Sequence, residues 1–112
     1  MRLMKMREFN DRLNNINEPE VGDYVILYIR LKDNFYDFIG THIGKLVSTH
    51  DWNNMQLIYE FEYENIPDEL LNNFYTVNGI TNRVDFARGA IKYWSKDKEE
   101  LEMILSANKY NI

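Results

Sequence analysis

The chain has no cysteine among its 112 residues, which excludes disulfides, thiolate nucleophiles and cysteine-ligated zinc. Histidine is nearly absent too: His42 and His50 are the only imidazoles. On an extended strand they stand too many residues apart to hold one metal together. With two prolines and five glycines, no linker, low-complexity tract or internal repeat interrupts the chain. No apolar run reaches the length of a membrane span, and Met1 to Ile16 is broken by Arg2, Lys5, Arg7 and Arg12, unlike a secretory signal. The expectation is a cytoplasmic protein with no membrane partner. No zincin, EF-hand, phosphate-loop or dinucleotide motif is present. Ser48, Ser95 and Ser106 lack the elbow context of an activated nucleophile. These absences argue against an enzyme and against any cofactor or metal.

What the chain does have is aromatic residues, 14% of the total, which favour strands. At this length a single domain spanning 1–112 is expected. Within residues 1–18, Leu3 to Ile16 reads as an amphipathic helix, with Met6, Phe9, Leu13 and Ile16 at helical spacing. Residues 21–94 read as short strands. Tyr24 to Leu31 is a strand buried on both faces, and Phe35 to Ile39 returns as a short one after a turn at Lys32-Asp33-Asn34. Gly40 and Gly44 flank the entry to a strand over His42 to Thr49, with glycine marking a bulge. His50 to Asn54 forms a polar turn.

Met55 to Tyr63 is the clearest strand, with Tyr59, Phe61 and Tyr63 on one face and Glu60, Glu62 and Glu64 on the other. Pro67 to Phe74 is a helical turn, Asn78-Gly79 a tight turn, and Tyr75 to Val77, Arg83 to Phe86 and Ala90 to Trp94 further strands. Ser95 caps a helix over 95–108 whose buried stripe is Leu101, Ile104 and Leu105. The fold class is α+β: an antiparallel barrel or curled sheet with a helix at each end.

Gly22-Asp23-Tyr24-Val25, Gly44-Lys45-Leu46-Val47 and the aromatic strand Tyr59 to Tyr63 resemble the opening of the Src-homology-3-like and Tudor-like small barrels. The resemblance covers roughly residues 21–65. It implies that fold and leaves function open, since such barrels serve many tasks. For a Tudor-like reader it implies a cage of rings around a methylated cation, with Tyr24, Tyr28, Phe35, Tyr36, Phe38, Trp52 and Tyr59 as candidates. The segment from Ile91-Lys92-Tyr93-Trp94-Ser95 to Lys109-Tyr110-Asn111 resembles the ends of small uncharacterised phage and large-virus proteins. Fourteen asparagines, with abundant Ile, Tyr and Lys, agree with AT-rich coding and point to an AT-rich bacterium, its bacteriophage or a large DNA virus.

Charge is unevenly placed. Residues 51–75 contain Asp51, Glu60, Glu62, Glu64, Asp68 and Glu69 and no Lys or Arg. The rest holds thirteen bases and twelve acids, so the net charge of -5 comes from this one segment. An acidic ladder repels nucleic acid, which makes direct nucleic-acid binding unfavourable there. It can attract a basic groove instead. The expected binding residues are Glu60, Glu62, Glu64, Asp68 and Glu69, with Trp52 and Tyr63 as apolar anchors.

The expected function is a non-enzymatic, phage- or virus-encoded interaction module. It would dock on a basic host protein or nucleoprotein complex, as an inhibitor of nucleic-acid processing or defence. The alternatives are a homo-oligomeric virion or assembly accessory, and a Tudor-like reader or nucleic-acid-binding barrel. A plainer reading makes the acids a solvated sheet face that discourages edge pairing.

Overall fold

The computed structural model of the protein describes residues 18–52, 56–76 and 79–110. The expected helix over Leu3 to Ile16 lies outside them, as do Asn53, Asn54 and Asn78 of the expected turns. The elements are β1 (Tyr24–Leu27), α1 (Asn34–Thr41), β2 (Gly44–Trp52), β3 (Gln56–Glu62), a 3₁₀ turn (Asp68–Asn73), β4 (Tyr75–Thr76), β5 (Gly79–Ile80), β6 (Arg83–Ala87), a second 3₁₀ turn (Arg88–Ala90), β7 (Ile91–Ser95) and α2 (Lys98–Tyr110). The α+β expectation holds.

Five strands form one antiparallel sheet in the order β6-β3-β2-β1-β7, and β4 pairs with β5. Chain connectivity forces this sheet to curl. β6 and β7 are its two edges, yet only Arg88–Ala90 joins them. Five flat strands at about 4.8 Å spacing would set the edges roughly 19 Å apart. The four residue steps from Ala87 to Ile91 reach at most about 14 Å even fully extended. The strands must therefore bend toward one another, although β6 and β7 do not pair and the ladder stays open.

The concave side holds the main core, in which Val25, Leu27, Leu46, Phe61, Phe74 and Val84 meet Phe35, Phe38 and Ile39 of α1. Ile26 and Tyr93 point the other way and pack under Leu101 and Ile104 of α2. That two-sided burial of residues 24–27 is what the near-continuous apolar run implies.

Local departures from the sequence reading have physical causes. Residues 34–41 are helix and not strand: the Asp33 carboxylate accepts from the Phe35 N–H at 2.8 Å as an N-cap, and Phe35, Phe38 and Ile39 bury one helical face. β1 stops at Leu27, where its pairing with β7 slips between Ile26 and Leu27, and Tyr28 and Leu31 are exposed. His50, Asp51 and Trp52 continue β2 instead of turning. The bulge in β2 lies between Leu46 and Ser48, not at Gly44. The C-terminal helix begins at Lys98 and runs to Tyr110. Asp97 accepts from the Glu99 N–H at 3.0 Å, while Ser95, buried in β7, accepts from the Asp97 N–H at 3.0 Å.

Candidate functional site: a divided acidic face

The aromatic–acidic alternation of β3 puts Tyr59 and Phe61 in the core and Glu60 and Glu62 on the convex face. There antiparallel pairing sets Glu60 between Ser48 and Asp85, and Glu62 between Lys45 and Arg83. Arg83 reaches across both acids. Its Nη1 donates to Glu60 Oε2 at 2.9 Å and its Nε to Glu62 Oε2 at 3.1 Å. The Glu60 side chain is only 12% exposed and that of Glu62 32%. Hydrogen bonds to Glu60 and then Glu62 raise the Arg83 guanidinium further above its ordinary value. The expected outward ladder of free carboxylates is thus corrected: Glu60 and Glu62 share one guanidinium, which bridges both and balances one of their two charges. The counter-ion lies 23 and 21 residues further along the chain, so a sum over a contiguous segment misses it.

Asp85 sits on the same face. Its carboxyl is pushed above the usual range, first by burial and then by the Glu60 charge, with His50 opposing, and its Oδ1 is buried without a hydrogen-bond partner among the described residues. A carboxyl that holds its proton more tightly in the folded chain favours folding at acid pH. That contribution is lost as pH climbs through the raised value, above which ionised Asp85 is a net liability. Asp85→Asn should therefore raise the melting temperature at pH 7–8, with the gain shrinking toward pH 4. An equal or lower melt at pH 8 would contradict this.

Tyr63 is not an exposed anchor. It is 1% exposed, with ring centroids 5.8 Å from Phe38 and 5.7 Å from Phe74. Its hydroxyl has no hydrogen-bond partner among the described residues, and burial pushes its ionisation far up. Trp52, opposite Gln56, sits at the other end of the hairpin from Glu62. Six strand rises, about 20 Å, separate the two ends, so Trp52 is not beside the acids.

Past β3 the chain leaves the sheet. Asn65 takes a left-handed conformation at φ 56, which asparagine tolerates better than most residues. Pro67 leads into the 3₁₀ turn with Asp68 and Glu69 in its first turn. Glu64, Asp68 and Glu69 are all exposed, and none forms an ion pair among the described residues. Leu71 and Tyr75, 40% and 61% exposed, follow directly. Sequence reasoning missed these two as surface groups.

Five of the candidate cage rings are already engaged among the described residues. Phe35, Phe38 and Tyr59 are core, and the chain's own Lys45 and Lys92 stand over Tyr24 and Tyr28 at 5.8 and 5.0 Å. His42 stacks on Phe38 at 4.1 Å, with Nδ1 2.9 Å from the Phe38 carbonyl. Among the described residues no three His, Asp or Glu side chains are grouped to hold a metal, and no helix is long and apolar enough to cross a membrane. A groove of about 540 Å³ beside α2 carries Lys45 and Lys98 together with Glu62, Glu64 and Glu102, so it has no dominant sign. No family model, curated protein or solved structure matches the chain.

Proposed function

We propose that the protein is a non-enzymatic interaction module that docks the connection over residues 64–75 on a basic protein surface. The observation that carries this is the run of exposed Glu64, Asp68 and Glu69 without counter-ions among the described residues, followed by exposed Leu71 and Tyr75. Carboxylates steer a basic partner and set register, while apolar groups beside them supply contact area. A groove that normally holds nucleic acid, as in a host processing or defence complex, offers the matching charge. That partner, and a phage or viral origin, fit the coding bias and the C-terminal resemblance. Strand order β6-β3-β2-β1-β7, with a 3₁₀ turn between the edge strands, supports an SH3-like reading of the sheet.

The test separates free acids from paired ones. The triple variant Glu64→Lys, Asp68→Lys, Glu69→Lys should lose at least tenfold of partner capture from host lysate and melt like the parent. Glu60→Lys with Glu62→Lys should instead lower the melt, because both would confront Arg83. Undiminished capture by the triple variant removes the connection as the site.

A further inference from the structure

The acidic connection has a counterpart of opposite sign at the same end of the sheet. Just past β1, Tyr28 and Leu31 are 54% and 60% exposed, and Arg30 and Lys32 beside them are exposed as well. Lys92, near the start of β7, is also exposed and stands 5.0 Å over the Tyr28 ring. None of Arg30, Lys32 and Lys92 forms an ion pair among the described residues. The nearest acids in sequence are Asp33, whose carboxylate accepts from the Phe35 N–H, and Asp37 in α1. The make-up mirrors that of residues 64–75: three bases with Tyr28 and Leu31 here, three acids with Tyr75 and Leu71 there.

Strand register puts both patches beside α1. Val25 pairs with Gly44 and Lys45 with Glu62, so β1 and β3 leave the sheet at the same end, and Ile91 of β7 enters there opposite Leu27. The loop after β1 runs straight into α1. The acidic connection packs on α1 from its own side, where the Phe35 and Phe38 rings meet Phe74 edge-on at 5.2 and 5.8 Å.

We infer that a second copy of this chain docks here as a two-fold pair, with the acidic connection of each copy against the Tyr28–Lys32 loop and Lys92 of the other. A surface that carries both halves of a match is complementary to itself, so one two-fold axis near α1 makes both contacts at once. Charge sets the register: Glu64, Asp68 and Glu69 meet Arg30, Lys32 and Lys92, whereas the reverse alignment sets like charges together. The exposed Tyr and Leu side chains of both patches supply contact area, tyrosine being favoured at such contacts. The pair draws on the same acids as the interaction reading, so a basic host surface would have to displace the second copy to reach them.

Two charge-reversed variants of the full chain test the pair by light scattering. One carries Glu64→Lys, Asp68→Lys and Glu69→Lys, the other Arg30→Glu, Lys32→Glu and Lys92→Glu. Both change only exposed side chains and should melt like the parent. The parent should show the mass of two chains and dissociate as salt nears about 1 M, where the screening length is about 3 Å. Each variant alone should self-associate at least about tenfold more weakly, because both of its contacts oppose like charges. Their equimolar mixture should recover the mass of two chains, since each reversed patch then meets its complement. A parent that is monomeric even at about 1 mM, a mass above two chains, either variant pairing as well as the parent, or a mixture that stays monomeric would overturn the inference. The Arg30, Lys32 and Lys92 variant keeps residues 64–75 intact and should capture host protein at least as well as the parent. Failure of the mixture therefore leaves the host reading standing, and undiminished capture by the Glu64, Asp68 and Glu69 variant leaves the pair standing.

Discussion

Gly44→Ala is expected to destabilise the fold by about 2–3 kcal/mol, the upper part of the range for overpacking a close-packed core. A Cβ built on Gly44 would lie 2.6 Å from Tyr63 Cζ and 2.9 and 3.0 Å from the two Cε atoms. The ring of Tyr63 thus lies flush on the Gly44 backbone, where only hydrogen fits. The ring cannot retreat, because Phe38 and Phe74 pack against it and it is 1% exposed. Nor can Gly44 move freely: it pairs with Val25 at the junction of β1 and β2. Losing glycine's freedom in the unfolded chain offsets only about 0.4–1 kcal/mol of the strain.

Urea unfolding would report the loss as a lower midpoint with an unchanged slope. Tyr63→Leu removes the obstructing ring, so Gly44→Ala in that background should cost at least 1 kcal/mol less than alone, the non-additivity expected of residues in contact. A Gly44→Ala midpoint equal to the parent's would mean the ring is not wedged.

This contact illustrates what could and could not be read from residues alone. The glycine was legible as a special position, but its cause was not: a bulge is a local property, whereas Tyr63 is nineteen residues away in sequence and meets Gly44 only through tertiary packing. The alternation of Tyr59, Phe61 and Tyr63 sorted those rings into the core because period two is itself the geometry of a strand. Phe35, Phe38 and Ile39 suit either a short strand or one helical face; Asp33, as a cap, was the available signal for helix. For the site, the exposed acids at 64–69 were legible as charge without counter-charge nearby. The Arg83 bridge was not, because it depends on β3–β6 register, which no local propensity specifies.

Asp23→Ala should cost about 2–3 kcal/mol, the scale for removing a buried acceptor and leaving its donor unsatisfied. Asp23 is 4% exposed. Its carboxylate accepts from the Glu20 N–H at 2.9 Å while its own N–H donates to the Glu20 carbonyl at 2.9 Å, closing the turn from both ends. Gly22 makes the turn possible at φ 101 and donates to the Leu46 carbonyl at 2.8 Å. The Leu46 N–H returns a bond to the Asp23 carbonyl at 2.9 Å. The Gly-Asp pair therefore stitches the entry of β1 onto β2. The other carboxylate oxygen accepts from Lys96 Nζ at 3.1 Å, which links this corner to the chain between β7 and α2.

The two roles can be weighed. Lys96 is 74% exposed, so its ion pair is screened by water and salt and contributes little. Asp23→Asn keeps an oxygen for the Glu20 N–H and loses the charge, and should cost less than half as much as alanine. Lys96→Met should change the urea midpoint least of the three. If asparagine proves as damaging as alanine, the charge and not the turn acceptor holds this corner together.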